Sequence, residues 1–502
     1  MDTSPTKVST VSDALNAAAS AHPTRDAYVH GDKKITYAQL DSAASNLAAA
    51  LVDLGMRPGQ ILCNLLPSSP EFACTYLGAI RAGLATSSIN QRLGPNEKSS
   101  IVECTRPTVT VALDDEAVGD GHQLIIRYSE LKEILVQQGR SELPNLEPSD
   151  TVAIVWTSGT TGAPKGAIYD HNSLRAIHDG MGDLTVAADR RLVSLPFAHM
   201  GYMTRIWDEL SAGTTIVLVG EPWSAAKQIA LIESERITVA TGVPTQWELI
   251  LANDSLKDCD TTALRVAGVG GAAVSPDLVR RMREQLRCDV ITRYTSTEAG
   301  LISGTRIGDS DEVVANTVGR ASSVVAMKLV DHLTGCEIAH GEIGEVRTKS
   351  RACFKGYFQD NAATSAAFDE HGYLKTGDLG MFDTDGNLRI VGRLKEMYIR
   401  GGYNVYPVEV EATLAEHPDV ALVAVIGIGA AVLGEIGVAF VVPANPSKPP
   451  TLESLRLWCT RRLADYKAPD RVHVVKELPV TSGSKINKQQ LAKLAQTLEG
   501  TL

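Results

Sequence analysis

Apolar residues recur at helical spacing from Ala38-Gln39-Leu40 through Leu54, and Gly55 with Pro58-Gly59 closes the run. That pattern predicts a helix ended by helix breakers. Ile61-Leu62-Cys63-Asn64-Leu65-Leu66 predicts a strand, and Glu71 to Ala82 a helix of small residues closed by Gly83. Further on, Thr151-Val152-Ala153-Ile154-Val155-Trp156 has the β-rich apolar character of a buried strand, and Ala167-Ile168-Tyr169 predicts a second one. Alternation of this kind implies an α/β architecture, with largely parallel β-sheets flanked by helices. Val420 to Val442 is almost wholly apolar, but Glu435 interrupts it and glycines punctuate it. A spanning helix needs roughly 20 consecutive apolar residues. Val and Ile between glycines predict two buried strands around a turn instead.

At 502 residues the chain exceeds one compact core, so two or more domains are expected. Its 44% hydrophobic and 21% charged content is that of a soluble globular protein. A formal net charge of -11 argues against nucleic acid or an anionic membrane as a partner. The eight cysteines show neither Cys-x-x-Cys pairs nor zinc-type Cys/His spacing, which suits reduced thiols in the cytoplasm. The first residues, Met1-Asp2-Thr3-Ser4-Pro5, have neither the basic start nor the apolar core of a signal peptide. A homodimer is compatible with this composition.

Between the two predicted strands at 151–156 and 167–169 lies Thr157-Ser158-Gly159-Thr160-Thr161-Gly162-Ala163-Pro164-Lys165-Gly166. Three glycines let the backbone approach an anion, and successive N–H groups form a nest for it. Four hydroxyls add donors and Lys165 adds positive charge, a chemistry that fits polyphosphate. The pattern is not a Walker loop, because Pro164 precedes Lys165 and Gly166 follows it. By composition alone, a polar turn between strands accounts for the same residues.

The order of residues resembles the phosphate-binding signature of the adenylate-forming superfamily, which includes acyl-CoA synthetases, luciferases and peptide-synthetase adenylation domains. Similar phrases follow in that family's order, from Ile35-Thr36-Tyr37-Ala38-Gln39-Leu40 and Ser88-Ile89-Asn90-Gln91-Arg92-Leu93 to about residue 488. Leu195-Pro196-Phe197-Ala198-His199-Met200 reads as a strand ending on a histidine. In acyl-CoA synthetases a His here lies beside the acyl carboxylate, whereas amino-acid activators keep an acid nearby. Val266-Ala267-Gly268-Val269-Gly270-Gly271-Ala272 predicts a strand ending in glycines, against whose backbone the family places nucleotide and acyl group.

In Tyr294-Thr295-Ser296-Thr297-Glu298 the resemblance implies an aromatic on adenine and a Thr-Glu pair for phosphate and Mg²⁺. Thr295 stands where relatives usually have Gly and adds bulk near the acyl pocket. Asp378, in Tyr373-Leu374-Lys375-Thr376-Gly377-Asp378, and Arg393 resemble the two ribose contacts. Lys395 falls at the family's hinge, which implies a large adenylating domain over 1–394 and a small mobile α+β domain over 395–502. Gly401, Gly402, Tyr403 and Asn404, with the following Val408-Glu409-Val410-Glu411, match the loop that helps form the CoA channel. Leu478-Pro479-Val480-Thr481-Ser482-Gly483-Ser484-Lys485 matches the last motif, with Ser484 in place of Gly.

What the resemblance implies is a ligase that joins a carboxylic acid to ATP, releases pyrophosphate, and passes the acyl group from acyl-adenylate to CoA. Thr157, Glu298, His199 and Lys485 would be catalytic. Thr157, Ser158, Gly159, Thr160, Thr161, Gly162, Lys165, Gly270, Gly271, Ala272, Tyr294 and Thr297 would hold nucleotide, with Asp378 and Arg393 on its ribose. His199, Trp207, Val243, Gly268, Gly270 and Thr295 would line the acid pocket, although Trp207 and Trp247 equally suit core positions. A fatty, aryl, bulky alicyclic or terpenoid acid is compatible. Two alternatives stand beside this reading: loading of a carrier protein's phosphopantetheine arm, and a catalytically weak nucleotide- or acyl-binding regulator.

Overall fold

The computed structural model describes residues 8–118, 124–139, 141–157, 164–271, 274–480 and 486–499. The helix expected after Ala38 spans Tyr37–Asp53, started by Thr36, whose hydroxyl and Gln39 form a capping box. Leu40, Ala44, Leu47 and Leu51 recur on its buried face. Ser69 caps the next helix, Pro70–Arg81, with Pro70 where a missing N–H costs nothing. The predicted strand at 61–66 forms as Ile61–Asn64.

Two large sheets carry the first 321 residues. One has six strands, in the order Leu124–Arg127, Val109–Ala112, Ile61–Asn64, Ala85–Ser88, Thr151–Thr157 and Lys165–Asp170. All its pairs are parallel except the last. The other has nine strands; its parallel centre includes Arg190–Val193, Val239–Gly242, Val266–Gly270 and Asp289–Ser296. Antiparallel pairs close both of its edges.

Largely parallel pairing stops there. Val325–Val330, Gly344–Ser350, Leu374–Phe382 and Leu388–Arg393 form an antiparallel four-stranded sheet. A short turn through Gly386, at φ +79°, joins the last two strands as a hairpin, while the connection from Ser350 to Leu374 carries the helix Asn361–Ala367 and still returns the chain antiparallel. The apolar run at 420–442 folds as the antiparallel pair Val420–Ala430 and Gly434–Pro443, as expected. With Tyr398–Arg400, Tyr403–Val405 and Arg471–Val474 it makes a five-stranded sheet. Among the described residues no helix is long and apolar enough to cross a membrane.

Side chains from Val11 to Leu388 share one large core cluster. Cores of the C-terminal sheet begin at Tyr398, with Val410, Leu414 and Val425 on one face and Ile426, Phe440 and Leu491 on the other. Val408-Glu409-Val410-Glu411 is not loop but the first turns of the helix Pro407–Ala415. Pro407 at the helix start and the buried pair Val410 and Leu414, four residues apart, favour the helix over the loop that the motif match implied.

Candidate active site

Thr157 ends its strand and pairs in register with Lys165, so the glycine-rich segment closes a hairpin. The Thr157 hydroxyl donates to the Lys165 carbonyl at 3.3 Å. Ser158, Gly159, Thr160, Thr161 and Gly162 lie outside the described residues, as do Ala272 and Lys485. The flanks of the Lys485 segment are held together: Val480 bridges Ile486, and the Asn487 amide donates to the Pro479 carbonyl at 2.7 Å.

The strand Asp289–Ser296 delivers the next group. Tyr294 is 9% exposed and its hydroxyl donates to Asp378 Oδ2 at 2.5 Å. Asp378 faces Arg393 across the Leu374–Phe382 and Leu388–Arg393 pair, and Arg393 Nε lies 3.0 Å from Oδ1. One carboxylate, 3% exposed, thus receives a phenol and a guanidinium. Burial, then the Asp378 charge, holds the Tyr294 phenol well above its ordinary pKa, so it stays a donor.

Beyond a bulge at Tyr294 and Thr295 the chain turns back at Thr297 and Glu298. The Thr297 carbonyl accepts from the Tyr169 hydroxyl at 2.6 Å, and the Glu298 carbonyl from the Phe354 amide at 2.8 Å. Glu298 Oε1 accepts from the Tyr357 hydroxyl at 3.0 Å. Tyr357 also carries Lys165 Nζ 5.0 Å above its ring centre. Sequence reading missed Tyr357, which joins two groups that it did find. Its one local signal is the Gly356-Tyr357-Phe358 phrase, aromatic residues inside a polar stretch.

The glycines at 268 and 270 have packing reasons of their own. A Cβ at Gly270 would sit 2.9 Å from the Arg293 carbonyl oxygen, and one at Gly268 would sit 2.9 Å from Thr241 Cγ2. Gly271 takes φ +82°, which favours glycine. The Gly268 carbonyl accepts from Trp247 Nε1 at 3.2 Å, and Trp247 is fully buried. Val243, 8% exposed, caps the helix carrying Trp247. Trp207 is a core residue at 3% exposure; it borders a surface cavity with Ala14, His22 and His178. Thr295 is exposed.

His199 does not end a strand. The strand stops at Val193, and Pro196, which has no N–H to give a ladder, opens a turn in which the His199 amide donates to the Pro196 carbonyl at 3.0 Å. His199 then caps the short helix Met200–Met203, its Nδ1 accepting from the Gly201 amide at 3.2 Å. An accepting Nδ1 puts the proton of the neutral ring on Nε2.

Lys395 lies in the exposed turn after Leu388–Arg393, where the Glu396 and Met397 amides both donate to the Arg393 carbonyl. Lys488 reaches Glu396 at 2.8 Å and Glu411 at 2.9 Å. Gly401 and Gly402, at φ +57° and +88°, make the two-residue turn between Tyr398–Arg400 and Tyr403–Val405. Tyr403 is 58% exposed and stacks on Tyr466 at 4.5 Å, while Asn404 pairs with Ile399.

Two family descriptions match the chain: AMP-binding enzyme over residues 15–358, and AMP-binding enzyme C-terminal domain over 409–485. A methyl-dioxo-octahydroindenyl-propanoyl:CoA ligase of Rhodococcus jostii is 32% identical, over 96% of this chain and 98% of its own. 4-Coumarate-CoA ligase 1 of Narcissus pseudonarcissus is 30% identical over 92% of this chain and 89% of its own. An anthranilate CoA ligase solved with anthranoyl-AMP superposes with TM-score 0.89 at 26% identity, covering 98% of each chain.

Proposed function

Because the chain belongs to the AMP-binding enzyme family, and is an ATP-dependent acid–CoA ligase within it, we propose that it activates a bulky alicyclic or aryl carboxylic acid. The observation that carries the site assignment is the constellation at the end of the Asp289–Ser296 strand. Tyr294 and Arg393 converge on Asp378 there, and Glu298 follows four residues after Tyr294. A carboxylate held in one orientation by these two donors suits the ribose contact that the family resemblance implies for Asp378. The indenyl-propanoyl, coumarate and anthranilate CoA ligases among its relatives support the acid class.

Attack of a carboxylate on the α-phosphorus brings two anions together. Lys165, the amides of the 157–166 loop and Lys485 would screen that repulsion, and positioning would supply the rest, since no protein nucleophile is required. Among the described residues no cluster of three His, Cys, Asp or Glu exists. A lone carboxylate, Glu298, fits Mg²⁺ held mainly by phosphate and water. Bound there, the ion would neutralise phosphate charge. His199, with its proton on Nε2, suits a carboxylate acceptor better than an ammonium group, so the acid lacks an α-amino group.

The small domain, from Lys395 on, would then turn about that residue. Lys485 withdraws and Gly401 to Asn404 are presented to the CoA thiol, which displaces AMP. The acceptor is CoA rather than a carrier protein, a reading supported by the relatives' names, and unpaired thiols at all eight cysteines suit the cytoplasm. A panel of alicyclic, aryl, fatty and amino acids, scored by CoA-dependent AMP release, tests the assignment. Cyclic acids should lead. Efficient turnover of amino acids with none of simple carboxylic acids would overturn it.

A further inference from the structure

The hairpin strand Lys165–Asp170 holds a second segment against itself. Ile168 donates to the Gly356 carbonyl at 3.0 Å, Lys355 to the Ile168 carbonyl at 2.8 Å, and Phe358 to the Gly166 carbonyl at 2.7 Å. This pairing fixes the backbone of Tyr357 opposite Ala167. The Tyr357 amide is satisfied by Thr364 Oγ1 at 2.8 Å, and its ring meets Phe354 edge-on at 4.8 Å. The side chain therefore has little freedom. Its two faces of chemistry are both used: the hydroxyl on Glu298 Oε1, and the ring under Lys165 Nζ.

We propose that Tyr357 is a positioning residue for adenylation, orienting the Glu298 carboxylate toward a divalent cation and seating Lys165 beside the phosphates. A carboxylate with one oxygen tied by a hydroxyl presents the other in a fixed direction. An ammonium over an aromatic face is attracted without being neutralised, so its charge remains for the phosphates.

This inference rests on Glu298 being the metal-side carboxylate, and the test separates the two. ATP binding is measured calorimetrically with and without Mg²⁺ for the wild type, Tyr357→Phe, Tyr357→Leu and Glu298→Gln, each with its thermal midpoint. Phenylalanine keeps the ring and its packing on Phe354. Tyr357→Phe should leave Mg²⁺-free ATP affinity unchanged and reduce the gain from Mg²⁺ by about tenfold, the usual loss when a ligand's orienting partner is removed. The Mg²⁺ concentration for half-maximal pyrophosphate exchange should rise to match, with kcat recovered at saturation. Tyr357→Leu should also weaken Mg²⁺-free binding, because Lys165 loses its seat. If Glu298→Gln abolishes the Mg²⁺ gain but Tyr357→Phe keeps it, the positioning role is wrong. If Glu298→Gln itself keeps the gain, the reading of Glu298 is wrong. Equal Mg²⁺-free affinities for the Phe and Leu variants would overturn the seating of Lys165.

Discussion

Asp378 and His171 are both buried, and they meet the cost of burial in opposite ways. Asp378 meets it with donors on either oxygen, the Tyr294 hydroxyl and the Arg393 guanidinium. His171 gives its charge up. Its Nδ1 accepts from the Val11 amide at 3.0 Å, and burial pushes its pKa down to about 4, against smaller opposing effects of Asp150, Asp170 and Asp13. Below pH 6.5 the unfolded chain protonates this histidine and the folded protein does not. Its contribution is therefore complete above pH 6.5 and is lost as pH falls toward 4, in total about 3 kcal/mol. Glu209, pushed up to about 7 by burial, acts in the opposite sense over the same range. The comparison is therefore between proteins: urea unfolding at pH 7.5 and pH 5 should show a smaller acid loss in His171→Gln than in wild type. Equal losses would show that His171 is not the group involved.

At the scale of elements, the proposed mechanism assigns the two halves of the reaction to different segments. Lys395→Pro should let adenylate accumulate while transfer to CoA slows, because proline fixes φ in the turn between Arg393 and Tyr398. Lys485→Ala should do the reverse: adenylation falls by about 2–4 kcal/mol of transition-state stabilisation, and thioester formation from supplied acyl-AMP survives. Rapid-quench measurement of each half-reaction separates these outcomes, and equal loss of both in both variants would rule out two working conformations. The elements that sequence rendered well are those with a local cause. Thr36 and Ser69 cap helices that bury one face, and the apolar run turns at 431–433, ahead of Gly434 at φ +78°, into a hairpin. His199 misled because an apolar run before Pro196 resembles a strand, and Val408 to Glu411 misled because motif resemblance places them with the loop, with the burial of Val410 and Leu414 on one helix face unseen. Tyr357 could not be found locally, since its partner Glu298 lies 59 residues away.

Over the whole molecule, the large core reaches Leu388 and the C-terminal cores start at Tyr398, so the proposed hinge at Lys395 falls between separate core clusters of the described residues. Lys488, gripping Glu396 and Glu411, ties the hinge turn to the small unit, so the turn should travel with it. Motif order and spacing made the family legible along nearly the full chain and marked the candidate site, but the contacts between motifs, such as Asp378 with Tyr294, exist only once the sheets form. The central claim is an AMP-forming activation that precedes the acceptor thiol. The direct measurement is exchange of labelled pyrophosphate into ATP, with a cyclic carboxylic acid present and CoA absent, followed by nucleotide analysis on adding CoA. Acid-dependent exchange without CoA, then stoichiometric AMP and acyl-CoA, is the predicted result. Exchange that needs CoA, or products that are ADP and phosphate, would contradict it.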